Sequence, residues 1–153
     1  MEVRMEVPSE RKKEVIEHEA VKEESIYLLK DRANIAYDWG KFAEARELFE
    51  LLKERSSESL HTPLLHKYGV CLARLGESLD ALKVFNQAIK EGRDSLYDIL
   101  SGLEKASILS QQGEGKEALA ALRAVKKRGR KIFREYSARK EYSHLRELVA
   151  KLD

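Results

Sequence analysis

Residues that form disulfides, turns and membrane spans are scarce in this chain of 153 residues. Its one cysteine, Cys71, excludes an internal disulfide, and it has only two prolines and eight glycines. No apolar run reaches the roughly 20 residues that a membrane-spanning helix needs. The first twenty residues are rich in glutamate and lack the apolar core of a signal peptide, so a cytoplasmic protein is expected. The 42% of hydrophobic and 37% of charged residues are typical of one helical domain.

One spacing of glycine, alanine and a large apolar residue occurs three times. The glycines recur every 36 or 37 residues, the alanines follow five positions later, and the apolar residues follow four positions after those. In chain order the sets are Gly40, Ala45 and Phe49; Gly76, Ala81 and Phe85; and Gly113, Ala118 and Leu122. Glycine suits the sharp turn at a helix end, and alanine allows a second helix to approach closely. The period predicts three helical hairpins.

These residues resemble the tetratricopeptide repeat (TPR) family. The second hairpin fits best, through Gly69, Leu72, Gly76, Ala81, Phe85 and Ala88, whereas the third has Gly102 and Lys105 at core positions. The resemblance implies an all-α, right-handed superhelix with repeats at about 26–59, 62–95 and 99–128.

The flanking segments are expected to complete a single domain over residues 9–153, after a disordered stretch at 1–8. Ser9 suits a helix start, and Val15, Ile16, Ala20 and Val21 form an apolar stripe that predicts an N-terminal helix. Residues 130–153 hold apolar positions for one or two capping helices. A repeat array needs such a cap because its last hairpin otherwise leaves an apolar side in water.

No pattern of catalytic, metal-binding or cofactor-binding residues stands out. The four histidines are scattered, and no paired histidines or cysteines stand at metal-ligand spacing. Gly113-Glu114-Gly115-Lys116 lacks the preceding glycine of a phosphate-binding loop. The sequence therefore predicts a non-enzymatic protein without metal or cofactor.

The TPR resemblance implies a concave groove lined by the first helix of each hairpin, suited to a peptide or helix of a partner protein. The groove residues it implies are Tyr27, Lys30, Asn34, Tyr37 and Asp38 in the first repeat, His66, Val70, Ala73 and Arg74 in the second, and Leu100, Leu103, Ser107, Ser110 and Gln111 in the third. Lys30 and Asn34 match the start of the clamp that binds a terminal carboxylate in one branch of the family. Lys67, Leu100 and Glu104 depart from that clamp, so it is not predicted.

A narrower hypothesis comes from the small three-repeat chaperones of type III secretion, which the chain resembles in layout and in Gly40-Lys41-Phe42. Those chaperones are usually acidic, whereas this chain has a net charge of +2.

The C-terminal segment suggests another class of partner, because residues 126–153 hold 10 basic and 4 acidic groups. Its basic cluster comprises Lys126, Lys127, Arg128, Arg130, Lys131 and Arg134, followed by Arg139 and Lys140, around Phe133 and Tyr136. Such a cluster suits nucleic-acid phosphates. The alternative is a solvated outer face, or a contact with the acidic N-terminal half in the same chain or in the second copy of a homodimer.

Overall fold

The computed structural model describes residues 25–56, 60–92 and 95–152, and all regular secondary structure in these ranges is helical. The helices are α1 (Ile26–Asp38), α2 (Phe42–Arg55), α3 (Thr62–Arg74), α4 (Ser78–Glu91), α5 (Ser95–Gln111), α6 (Gly115–Lys126), α7 (Arg130–Ser137), a 3₁₀ helix (Lys140–Leu145) and α8 (Arg146–Ala150). Consecutive helices from α1 to α6 pack as three hairpins, and the remaining helices pack against the third. This confirms the predicted all-α arrangement. The predicted disordered stretch and N-terminal helix lie outside the described residues.

The three hairpin turns have the same backbone geometry. Gly40, Gly76 and Gly113 have φ of 73°, 83° and 80°, a left-handed conformation that side chains disfavour. In the first turn, the amide of Gly40 donates to the carbonyl of Tyr37 at 3.0 Å and that of Lys41 to Ala36 at 2.9 Å. The other two turns repeat both bonds. This paired arrangement satisfies carbonyls left open at a helix end and directs the chain back along the first helix.

Glycines allow close contacts between the two helices of the second and third hairpins. A methyl group on Gly69 of α3 would overlap the ring of Phe85 on α4, and one on Gly102 of α5 would overlap the side chain of Val125 on α6. Gly102, which departs from the family pattern in the sequence, therefore has a packing role. It lets α5 lie directly against a branched side chain.

The described core falls into two clusters. One joins the first two hairpins around Phe49, Leu65 and Phe85. The other joins the third hairpin to the C-terminal segment and includes Phe133, Tyr142, Leu145 and Leu152 from that segment. Leu82 of α4 packs against both clusters. The C-terminal segment thus caps the last hairpin, as predicted.

Gly102→Ala is expected to lower the free energy of unfolding by about 1–3 kcal/mol, the usual cost of an extra methyl group in a close-packed core. Adding Val125→Ala should remove part of this cost, because the two groups compete for the same space. Gly115→Ala is the matched control, since a methyl group there meets nothing within 4 Å. Urea unfolding followed by circular dichroism compares these variants with the unchanged chain. Additive costs for Gly102→Ala and Val125→Ala would contradict the packing role.

Candidate functional site

The predicted groove lies along the first helices of the hairpins, α1, α3 and α5, and every predicted residue on α1 is at least partly accessible. Tyr27 is 76% exposed. Asp38 is exposed, while Lys30, Asn34 and Tyr37 are half-buried. These five positions run along α1 from its first turn to its last residue.

Lys67 of α3 connects to this set. Its Nζ donates a hydrogen bond to Asn34 Oδ1 at 2.9 Å and lies 5.6 Å from the centroid of the Tyr37 ring. In the sequence, Lys67 stands out only as a departure from the carboxylate clamp. Lys67 directly follows His66, a residue that the resemblance assigns to the groove side of α3. This position is the signal that could have placed Lys67 in the site.

Tyr37 is held firmly in place. Its ring makes an edge-to-face contact with Phe42 at a centroid distance of 6.0 Å. Burial, with a smaller effect of the negative Glu104, raises the pKa of Tyr37 to about 12. The phenol is therefore protonated at neutral pH, when it can donate a hydrogen bond.

His66 lies inside the stack rather than on the groove surface. It is buried, its Nδ1 is hydrogen-bonded to Ser101 Oγ at 3.0 Å, and its ring packs against the rings of Phe85 and Tyr97. Burial lowers its pKa to about 3, and the nearby cations Lys67 and Arg74 add to the effect. His66 is a neutral packing residue that links α3 to α5.

The remaining predicted groove residues divide by exposure. Arg74 and Gln111 are exposed, and Ala73, Leu100 and Ser110 are half-buried. Val70, Leu103 and Ser107 are buried, as is His66. All five predicted positions on α1 are therefore at least partly accessible, whereas α3 and α5 each have two buried positions.

The third-hairpin end of the groove is covered by the chain's own C-terminal 3₁₀ helix. Tyr142 Oη donates a hydrogen bond to Glu104 Oε1 at 3.1 Å, and Ser107 Oγ is hydrogen-bonded to His144 Nε2 at 2.6 Å. Burial raises the pKa of Glu104, against the opposing effects of Arg74 and the Tyr142 hydrogen bond. Glu104 and Ser107 hold the same register positions on α5 as Lys67 on α3 and Asn34 on α1, respectively. Residues at these two register positions join α1 to α3 through Asn34 and Lys67. On α5, the residues at the same two positions bind the C-terminal 3₁₀ helix.

Neither a metal site nor a reactive thiol is evident in the described part of the chain. No group of three or more His, Cys, Asp or Glu side chains could hold a metal ion among those residues. Burial raises the pKa of Cys71 to about 11, so its thiol is protonated at neutral pH. None of the described helices has the length and apolar character to cross a membrane.

The basic cluster is divided between internal contacts and an exposed face. Arg128 Nη1 forms an ion pair with the buried carboxylate of Asp98 at 3.2 Å, and Lys126 is half-buried with an interaction of its own. Arg139 stacks on the Tyr136 ring at 3.8 Å. Exposed cations remain on α7 and just before it, namely Lys127, Arg130, Lys131 and Arg134.

Stacked helical hairpins with glycine turns and small residues where their helices meet define a tetratricopeptide-repeat fold. A known structure agrees, that of YrrB, a TPR protein with an unusual peptide-binding site, with a TM-score of 0.59 and 16% sequence identity. The match covers 81% of this chain and 66% of YrrB, just under two thirds of its length. It confirms the predicted fold. No protein-family model matches the chain, and no curated protein is similar to it.

His66 is expected to make the folded chain less stable at low pH. The unfolded chain protonates this histidine near its ordinary pKa of 6.5, whereas the folded chain holds it neutral down to about pH 3. The contribution of His66 to the free energy of unfolding is therefore fully present above pH 6.5. It is lost as the pH falls from 6.5 toward 3, by up to about 1.4 kcal/mol per pH unit. Urea unfolding at pH 7, 6, 5 and 4 measures this slope.

The His66→Gln variant should show a smaller slope than the unchanged chain, because it removes the group that titrates. His61→Gln is the matched control, since His61 is exposed at the start of the same helix. If both variants keep the full slope, the pH dependence arises from other groups.

Proposed function

We propose that this chain is a non-enzymatic protein-interaction module that binds an extended segment of a partner polypeptide in the groove over its first two hairpins. The observation that carries the proposal is the linked set of Asn34, Lys67 and Tyr37, beside the exposed Tyr27. A fold alone does not specify a function, so the proposal depends on this set. The description of YrrB as peptide-binding supports it in general terms.

The side chains on the open groove favour a ligand with oxygen acceptors. Lys30, Lys67 and Arg74 present three cations, whereas Asp38 is the acidic residue among the predicted groove positions. Glu104 lies farther along, where it accepts a hydrogen bond from Tyr142. The partner segment is therefore expected to present carboxylates or backbone carbonyls to the cations. Tyr27 and Tyr37 supply flat surfaces for its apolar side chains.

We also propose that the protein is cytoplasmic and works without a cofactor. A chaperone for a secreted protein, similar to those of type III secretion, is a narrower form of the proposed function. The identity of the partner distinguishes a general interaction module from such a chaperone, because the chaperone binds a protein that is later secreted.

The groove is tested by capture from an extract of the source cells. The tagged chain is expected to retain a defined polypeptide, identified by mass spectrometry, at both low and high salt. Lys67→Glu and Tyr27→Ala should each weaken that complex about tenfold or more, about 1.4 kcal/mol, if these residues contact the ligand. Isothermal titration with the identified segment measures the weakening.

Two surface variants serve as controls for this experiment. Lys83→Glu and Leu79→Ala change exposed residues of α4, the second helix of its hairpin, and should leave the affinity unchanged. Circular dichroism must show that all four variants fold. A complex that survives Lys67→Glu and Tyr27→Ala at full affinity would exclude the open groove as its site.

A second candidate function is supported by the exposed cations of α7. This helix buries Phe133 and leaves Arg130, Lys131 and Arg134 exposed, with Lys127 just before it. Arg130, Lys131 and Arg134 lie on one side of α7 and form a basic face, and Lys127 adds a cation before the extended Gly129. Such a face suits a row of phosphates, and we propose nucleic acid as the alternative partner.

If nucleic acid is the partner, reversing Lys127, Arg130 and Lys131 to Glu should abolish binding to a short labelled RNA or DNA duplex in fluorescence anisotropy. The slope of log affinity against log salt should also decrease by about 0.7–0.9 for each phosphate that the protein no longer neutralises. Lys83→Glu with Lys90→Glu is the control, since both cations are exposed on α4. Equal weakening by the two sets would indicate a general charge effect, and no binding by the unchanged chain would exclude this function.

A further inference from the structure

Helix α1 has an apolar stripe on the side of the stack that faces away from the second hairpin. Leu28, Ile35 and Trp39 are 51%, 57% and 77% exposed. With Arg32 between them, they follow helical spacing and share one face. Ile35, Trp39 and Arg32 also line a shallow depression of about 300 Å³, whose rim includes Lys41 and Glu44.

Three of the four stripe positions, those of Leu28, Arg32 and Ile35, are covered on the other two first helices. Trp39, at the edge of the stripe, corresponds to Leu75 and Gln112, which are exposed. Leu28, Arg32 and Ile35 correspond to Leu64, Tyr68 and Cys71 on α3, and to Ser101, Lys105 and Ile108 on α5. Five of these six equivalents are buried, and Lys105 is half-buried.

The main covering element is the second helix of the preceding hairpin, joined on α5 by His66 of α3, which is hydrogen-bonded to Ser101. On α3 it is α2, whose Phe49 ring lies 6.2 Å from the Tyr68 ring, and on α5 it is α4. The stripe on α1 is therefore a face that receives a helix elsewhere in the same fold. No described residue covers it.

We propose that residues 1–24 of this chain cover the α1 stripe as the second helix of a preceding hairpin would. Helices α2 and α4 each have 14 residues, and the longer connection to the next first helix, 56–61, has six. The 24 residues before Ser25 are enough for both. Val15, Ile16, Ala20 and Val21 supply the apolar side chains.

Two further observations favour this segment over a second copy of the chain. It is joined directly to α1, which gives it an effective concentration in the millimolar range against the stripe. It also holds eight glutamates against five arginines and lysines, whereas the depression is lined by two cations, Arg32 and Lys41, and one acid, Glu44. The C-terminal cap covers the third hairpin at one end of the stack, and residues 1–24 would cover the first hairpin at the opposite end.

Trp39 provides the test, because it is the chain's single tryptophan and lies on the stripe. In the full chain, its emission should be shifted to shorter wavelength and shielded from acrylamide, independently of protein concentration. Val15→Glu combined with Ile16→Glu should shift the emission to longer wavelength and increase quenching. Val3→Glu combined with Val7→Glu is the matched control in the same segment and should change neither.

The other outcomes overturn the proposal. Shielding that increases with concentration, together with a doubled mass in light scattering, would assign the stripe to a second copy. A fully quenched Trp39 in the unchanged chain would leave it uncovered. Shielding that survives the Val15 and Ile16 substitutions would exclude the apolar side chains named here.

Discussion

The closeness of the two helices in each hairpin is the constraint on which the rest of this structure depends. At the crossings stand Ala33, Gly69 and Ala106 on the first helices, and Ala45, Ala81 and Ala118 on the second helices, all buried. With no bulk beyond a methyl group at these points, a large side chain can lie directly on the facing helix, as the Phe85 ring does on Gly69. The crossing therefore fixes the rotation of each helix about its axis, and with it which side chains face the groove.

This constraint explains why so much of the fold was predictable from the sequence. The glycine turn and the small residue are local requirements, and each leaves a residue type at a fixed spacing. Three copies of the spacing at Gly40, Gly76 and Gly113 set the register of six helices. Gly102 is instructive, since it departs from the family pattern and yet fulfils the same physical requirement against Val125.

The site was less predictable, because its accessible surface depends on contacts between distant parts of the chain. Register correctly put Asn34 and Tyr37 on the same helix side, but nothing local indicates that Lys67 bonds to Asn34. Nor does the sequence show that His66 is neutral, since that follows from burial between Phe85, Tyr97 and Ser101. Tyr142 lies in the segment 130–153, for which the sequence predicts only the apolar positions of a cap, yet its hydroxyl group reaches Glu104 on another helix.

The cap therefore has two structural consequences. Leu145 and Phe133 close the core of the third hairpin, while Tyr142 and His144, from the same segment, cover polar positions on α5 that face the groove. A ligand that extended over α5 would have to displace contacts that also close the core, at a cost to stability. A ligand confined to α1 and α3 meets no such cost. Under the proposed function, the cap therefore favours ligand segments short enough to lie on α1 and α3, where Lys30 and Lys67 rather than Glu104 would meet the ligand.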